Sequence, residues 1–207
     1  MWVKICGITR REDAVAAVQL GADAIGFVLT PSPRRADVDD LKTWIKGIHW
    51  VEKVGVFTHE DPRIILDLGQ ALGLNSIQLH GELTSAHAVL AERFEIIYAL
   101  SDPEQLNKVV PRTNRTQGAG RHSANRIMAG DFSCRIMIDA SMGTGKTGTW
   151  VPRGHPYILA GGLNPDNVRE AIAKAHPAGV DVSSGVETGP GMKDVVLMER
   201  FIKEART

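Results

Sequence analysis

Two titratable side chains end apolar runs of the chain, where catalytic groups are often placed. Cys6 closes the run Val3-Lys4-Ile5-Cys6, and Gly7 follows it at once. A thiol at the carboxyl end of a strand, before a glycine turn, is a candidate nucleophile or base, because parallel α/β folds build active sites at that edge. The alternative is a small buried hydrophobe, which is how free cysteine usually behaves.

Asp139 is the second such residue, at the end of the apolar run 135–139. A carboxylate after four largely apolar residues is seldom needed for packing. It can instead cap the following loop through its side-chain oxygen. Both interpretations place Asp139 on the same predicted rim as Cys6.

Other polar residues follow strands on that rim. His80 ends the fourth predicted strand, where it can be a polar wall residue, a base or a hydrogen-bonded core histidine; the wall residue is favoured. Arg34 and Arg35 come after Pro31-Ser32-Pro33, behind the second strand. Because arginine pairs bidentately with carboxylates, one of them is predicted to hold an anionic substrate group. Surface solvation is expected to account for the other.

Two turns of small residues predict a phosphate site. The seventh strand ends in Ala160-Gly161-Gly162, and the eighth in Ser183-Ser184-Gly185. Small residues let backbone N–H groups approach an anion, and the loops after strands seven and eight form the common phosphate site of barrels. Ordinary tight turns favour glycine too. Two such turns at the two expected places favour a phosphorylated small-molecule substrate.

The run 140–147, ASMGTGKT, nearly matches a nucleotide-binding P-loop. The motif requires glycine at its first position, where this chain has Ala140. It also requires a helix directly after the Lys-Thr pair, whereas Gly148 and Pro152 disfavour one here. An NTPase is therefore rejected. A flexible glycine-rich loop at the active-site mouth is the better prediction, since such loops often act as lids.

Composition excludes several classes of function. Of 207 residues, 43% are hydrophobic and 23% charged, typical of a globular protein. Basic and acidic residues number 24 each, so no overall field recruits nucleic acid or a membrane. No signal-peptide pattern or membrane-spanning stretch is evident. Cys6 and Cys134 show no metal-site spacing and suggest no disulfide scaffold, which predicts a reducing, cytoplasmic location.

Strand and helix patterns alternate along the chain. Buried strands are predicted at 2–6, 24–29, 51–57, 76–80, 95–100, 135–139, 157–160 and 179–183. Helices are predicted at 11–20, 37–48, 63–72, 84–93, 165–175 and 195–205. Pro62 suits the start of the third helix. Asn164 is predicted to cap the fifth, with Pro165 at its first position.

Eight alternating units predict a single (β/α)₈ barrel over residues 1–207, compact beside the usual size of about 250 residues. A doubly wound open sheet competes, but the first strand lacks the glycine-rich dinucleotide turn. The sixth helical unit is expected to be short or irregular, because glycines and prolines crowd 148–156. The polar, basic stretch 112–125 predicts a flexible surface loop. It lacks the interleaved aromatic residues that would stack nucleic-acid bases.

Four segments together resemble phosphoribosylanthranilate isomerase, in that family's order and over nearly the whole chain. They are Lys4-Ile5-Cys6-Gly7-Ile8-Thr9, Gln78-Leu79-His80-Gly81, Gly161-Gly162-Leu163-Asn164-Pro165 and Asp181-Val182-Ser183-Ser184-Gly185-Val186-Glu187. The resemblance implies a (β/α)₈ barrel that performs an Amadori rearrangement in tryptophan biosynthesis. It also implies that the reaction needs no metal or organic cofactor. The assembly is expected to be a monomer or a homodimer.

The resemblance also implies a role for each matching residue. Cys6 would be the general base and Asp139 the general acid. Arg35 would hold the anthranilate carboxylate, although a one-residue shift keeps Arg34 open. The substrate site would further include His80 and Asp181. The phosphate would contact the two small-residue turns, at Gly161, Gly162, Ser184 and Gly185.

This sequence departs from the family pattern in two regions. Met142 stands where the family usually has another glycine, and Gly148-Thr149 stand where it has Phe-Asp before Trp150. The loop is therefore expected to close differently, which affects rate or substrate breadth more than reaction type. The stretch 112–125 looks longer than its family counterpart and suggests an insertion.

Overall fold

Eight parallel strands form a closed barrel, as the alternating pattern predicts. The computed structural model describes residues 1–101, 126–129, 132–139 and 155–207. The predicted surface loop at 112–125, the glycine-rich run at 140–147 and most of the sixth helical unit lie outside these residues. Among the described helices, none combines the length and the apolar character needed to cross a bilayer.

The strands are β1 Trp2–Ile5, β2 Ala24–Val28, β3 Glu52–Phe57, β4 Ser76–His80, β5 Glu95–Leu100, β6 Arg126–Ala129, β7 Phe132–Asp139, β8 Ile158–Ala160, β9 Gly179–Val182, β10 Glu187–Gly189 and β11 Met192–Lys193. The helices are α1 Arg11–Gln19, α2 Val38–Trp44, α3 Pro62–Leu72, α4 Ala88–Ala91, α5 Val168–Ala175 and α6 Val195–Arg206. Every predicted barrel strand is present, within three residues at each end. Strand β6, antiparallel to β7, and the small β10–β11 hairpin were not predicted.

The order of the barrel strands fixes which residues meet at the rim. Around the barrel the order is β1, β2, β3, β4, β5, β7, β8 and β9, which pairs back with β1. Cys6 follows β1 directly, and its N–H donates to Val182 O at 2.8 Å, so it continues the β1–β9 ladder. Asp139 ends β7, three strands away from β1 in that order. The two residues therefore lie on the same rim, well separated around it.

Alternation along the strands separates two apolar clusters. Side chains that point out of the barrel, such as Ile5, Phe27 and Ile138, pack beneath the helices in the main core. A second cluster fills the barrel interior and consists of Ala24, Val54, Ile97, Ala99, Met137, Ile158 and Ala160. Lys4, Gln78 and Asp181 are also buried, on β1, β4 and β9. Since buried polar groups need partners, these three are expected to bond to other polar groups.

The opposite end of the barrel carries a structural polar cluster. Arg135 pairs with Glu52, its guanidinium lies 5.1 Å from the centre of the Trp2 ring, and Ser76 also bonds to Glu52. Trp2, Glu52, Ser76 and Arg135 line a cavity of about 1010 Å³ at this end. In barrels of this type the amino-terminal end serves stability rather than chemistry. The functional site is therefore expected at the other end.

Two predicted helices differ from those observed. The segment predicted as a helix at 84–93 forms a 3₁₀ turn, Ser85–His87, followed by the single turn α4. Helix α5 begins at Val168, so the prediction of Asn164 as its N-cap is wrong. Asn164 Oδ1 instead accepts from the N–H of Asp166 and Asn167, because its short side chain caps a separate turn ahead of the helix.

Candidate active site

A buried lysine lies at the centre of the site. Lys4 is inaccessible to solvent, and its Nζ donates to Asp181 Oδ1 at 2.8 Å and to Gln78 Oε1 at 2.9 Å. Lys4 and Asp181 are direct neighbours in the β1–β9 ladder. An ammonium survives in a protein interior when it is paired and hydrogen-bonded, as here. Asp181, which is 8% exposed, is thus tied to the site by an ion pair.

The same lysine sets the protonation of His80. Because an ammonium only donates, the Gln78 atom facing Lys4 is the amide oxygen. The amide nitrogen of Gln78 then lies 2.9 Å from His80 Nε2 and donates to it. His80 is therefore assigned as a neutral ring with its proton on Nδ1. Burial also lowers the pKa of His80 below its usual 6.5, against the opposing charge of Asp139.

Cys6 is packed beside this network. It is 6% exposed and lies two residues after Lys4, on the same face of the strand. A Cβ added at Gly26 would lie 2.8 Å from Cys6 Sγ and 2.9 Å from Lys4 Cε, so glycine leaves the room that both side chains occupy. Burial raises the pKa of the Cys6 thiol, and the positive charge of Lys4 opposes that rise.

Asp139 lies three strands away from Cys6 around the rim. It is partly exposed at the end of β7 and pairs in register with Ala160 of β8. Its charge raises the pKa of His80, so the carboxylate is within electrostatic reach of that ring. A ligand in the mouth would thus have a thiol on one side and a carboxyl group on the other.

The two predicted phosphate turns are in direct contact. Gly161 and Gly162 have φ values of 90° and 67°, the left-handed region that favours glycine. A Cβ at Gly185 would lie 1.9 Å from the backbone oxygen of Leu163. The turn after β9 is therefore seated against the turn after β8. Exposed Ser184 stands beside this contact, so the structure brings the predicted phosphate residues together.

The two arginines after β2 have different environments. Arg34 is partly buried, and its Nε donates to both carboxylate oxygens of Glu187, at 2.9 and 3.1 Å. Glu187 also accepts from Lys193 Nζ at 2.6 Å. The expectation that surface solvation explains the second arginine is thus wrong for Arg34. Arg35 is exposed and forms no salt bridge with a described residue, which leaves its guanidinium open to a ligand.

Sequence analysis missed four polar residues that organise the site. They are Lys4, Gln78, Glu187 and Lys193. A usable signal existed for two of them, because Lys4 and Gln78 stand two positions before Cys6 and His80 and so share their strand faces. In the described part of the chain, no cluster of three or more His, Cys, Asp or Glu residues is arranged to hold a metal ion.

Comparison with known proteins points to one family. A family model described as N-(5'phosphoribosyl)anthranilate (PRA) isomerase matches residues 3–204. An N-(5'-phosphoribosyl)anthranilate isomerase of Thermotoga petrophila is 38% identical over 216 residues, which cover 99% of this chain and 98% of the relative.

Solved structures agree with that match. The crystal structure of phosphoribosyl anthranilate isomerase from Thermotoga maritima has a TM-score of 0.81 and 37% identity, and covers 100% of this chain and 98% of that one. An isomerase solved in complex with reduced 1-(o-carboxyphenylamino)-1-deoxyribulose 5-phosphate has a TM-score of 0.77 and 35% identity. It has the same coverage.

Substituting alanine for Gly185 should weaken anion binding at the paired turns. The new Cβ would meet backbone atoms of Leu163, so the turns must separate. We expect the affinity for inorganic phosphate, measured by nuclear magnetic resonance titration, to fall about tenfold or more, a loss of roughly 1.4 kcal/mol. Gly189→Ala is the matched control, because a Cβ there meets nothing within 4 Å. Equal affinities in both variants would place the anion elsewhere.

Proposed function

The chain belongs to the N-(5'-phosphoribosyl)anthranilate isomerase family, whose reaction serves tryptophan biosynthesis, and we propose that Cys6 and Asp139 are the base and the acid of its Amadori rearrangement. The substrate is N-(5-phosphoribosyl)anthranilate and the product 1-(2-carboxyphenylamino)-1-deoxyribulose 5-phosphate. A relative solved with a reduced form of that product supports a phosphorylated ligand for this chain too.

The observation that carries the proposal is the placement of four groups around one mouth. The thiol of Cys6 and the carboxyl group of Asp139 lie on the same rim, three strands apart. Exposed Arg35 follows β2, and the paired glycine turns follow β8 and β9. A substrate with a carboxylate at one end and a phosphate at the other would present its ribose between the thiol and the carboxyl group.

Asp139 acts first, as the general acid. In its protonated form it donates to the ribose ring oxygen, the bond from that oxygen to C1 breaks, and the anilino nitrogen forms a protonated Schiff base with C1. A carboxylic acid needs apolar or negatively charged surroundings to hold its proton near neutral pH.

Cys6 then acts as the general base. Its thiolate removes the proton from C2, and the electrons of the C–H bond move into the C1–C2 bond and neutralise the iminium nitrogen. The resulting enolamine takes up a proton at C1 and loses one from the C2 hydroxyl, which gives the ketone. Because thiolate rather than thiol is the basic form, this role requires positive charge close to Cys6 to oppose the burial that raises its pKa.

Two further expectations from the sequence stay predictions. The location is expected to be cytoplasmic, and the assembly a monomer or a homodimer. Light scattering on the purified chain distinguishes the two assemblies. Neither outcome changes the roles proposed for Cys6 and Asp139, because both residues come from one barrel.

Removing either catalytic group should greatly slow turnover while leaving substrate binding intact. Cys6→Ser replaces a titratable thiol with an alcohol that hardly ionises, and Asp139→Asn removes the donated proton. Each should lower kcat by about 10²- to 10⁴-fold. The assay follows loss of anthranilate fluorescence from substrate generated in situ, and the pH profile of kcat/KM should be bell-shaped for the wild type.

Cys134→Ala is the matched control for the thiol, because Cys134 is buried in the main core beneath the helices. It should keep near wild-type kcat. If Cys6→Ser instead retains most of its kcat, another residue is the base, and His80 and Asp181 would be the first to test.

Arg35 should matter more than Arg34 for recognition of the anthranilate carboxylate. Arg35→Ala loses a charge-assisted contact, and kcat/KM should fall by a factor equivalent to about 2 kcal/mol or more. Arg34→Ala should chiefly lower thermal stability, because it leaves the buried Glu187 carboxylate short of one partner. Steady-state kinetics and thermal melts of both variants distinguish these effects. The reverse ranking in kcat/KM would move the carboxylate to Arg34.

A further inference from the structure

We propose that Lys4 is a positioning residue that supplies the buried positive charge against which Cys6 ionises. This inference rests on the proposed role of Cys6 as the base. Lys4 itself is fully buried and does not reach a ligand in the mouth, so it acts through its neighbours.

The geometry holds the ammonium in one place. Two of its three N–H donors are committed to Asp181 and Gln78, which belong to strands on opposite sides of β1. Lys4 Nζ and Cys6 Sγ both lie within 3.0 Å of the position that a Cβ on residue 26 would occupy, which is empty because residue 26 is glycine. The cation and the thiol are therefore packed together, with no side chain from β2 between them.

Several charged groups face the thiol besides Lys4. Asp181 lies on β9, Lys193 on β11, and the side chain of Arg34 packs near Gly7. Lys193 and Arg34 share the carboxylate of Glu187, which compensates part of their charge. His80 couples to Lys4 and Asp181 and is neutral.

The balance of these groups singles out Lys4. Burial is the largest effect on the pKa of Cys6 and raises it, and the charge of Asp181 raises it further. Lys4 and Lys193 lower this pKa, and the effect of Lys4 is the larger of the two. Burial also lowers the pKa of Lys4 itself, but Asp181 and Cys6 more than offset that effect, so the ammonium stays protonated. Of the described cations, Lys4 is thus the one that most favours the thiolate.

The arrangement explains why a lysine is kept in the barrel interior. Without it, ionisation of Cys6 would place a second negative charge beside the buried Asp181 carboxylate. With it, the thiolate forms next to a cation that is already desolvated and fixed in place. The hydrogen-bonded chain Lys4–Gln78–His80 also holds His80 in its neutral form. The Lys4 ammonium therefore influences both Cys6 and His80.

The test compares two variants that differ at residue 4 alone. Lys4→Met by itself would leave the Asp181 carboxylate buried and unpaired, which risks unfolding. The double variant Lys4→Met/Asp181→Asn is therefore compared with the single variant Asp181→Asn. Both carry Cys134→Ala, so that Cys6 is the remaining thiol. Ionisation of Cys6 is followed by the ultraviolet absorbance of the thiolate as pH rises, with Cys6→Ser as the reference.

Adding Lys4→Met should raise the ionisation midpoint of Cys6 by about one pH unit or more, since an adjacent opposite charge shifts a pKa by that amount. Asp181→Asn alone should lower the midpoint below that of the Cys134→Ala protein, because it removes the opposing negative charge. Equal midpoints with Lys and Met at position 4 would overturn the proposal. The Lys4→Met substitution could raise the midpoint even if the wild-type protein shows no isomerase turnover. That result would support the charge role of Lys4 and overturn the proposed function.

Discussion

The buried ion pair between Lys4 and Asp181 determines much of the site. Two charges in a barrel interior need each other, and removing one partner of such a pair typically costs about 3–5 kcal/mol. The pair joins neighbouring strands β1 and β9, and Gln78 ties the lysine to β4. Since side chains alternate along a strand, fixing Lys4 and Gln78 also fixes Cys6 and His80, two positions nearer the mouth.

Polar groups at the two ends of the barrel have different roles. At the amino-terminal end, Arg135 and Glu52 pair with each other and with neighbours, which closes the barrel without exposing a reactive group. At the carboxyl end, the polar groups line the mouth of the barrel, and they include the thiol of Cys6 and the carboxyl group of Asp139. The apolar cluster of the interior separates the two ends.

The sequence predicted the fold and the rim, and residue patterns explain why. Buried parallel strands are continuous apolar runs, so their ends, and with them Cys6 and Asp139, could be placed closely. The two small-residue turns could be located because each follows a predicted strand, at the places where barrels commonly bind phosphate. Both inferences depend on local residue patterns and on the rule that the carboxyl ends of all barrel strands lie at the same rim.

The features that were missed depend on contacts between distant residues. A lysine in an apolar strand usually indicates an exposed position, so the burial of Lys4 becomes clear once Asp181 is known to adjoin it. The role of Arg34 depends on Glu187, 153 positions along the chain. Asn164 has the chemistry of an N-cap, and the choice between capping the helix and capping a preceding turn is made by the path of the chain from β8.

A crystal structure of this protein with reduced 1-(o-carboxyphenylamino)-1-deoxyribulose 5-phosphate bound would test directly whether Cys6 and Asp139 flank the reacting carbon. We expect the carboxylate at Arg35, the phosphate between the turns at Gly161-Gly162 and Ser184-Gly185, and C2 of the sugar chain between Cys6 Sγ and the Asp139 carboxyl group. A phosphate bound away from those turns, or C2 out of reach of Cys6, would rule out the proposed roles of these residues.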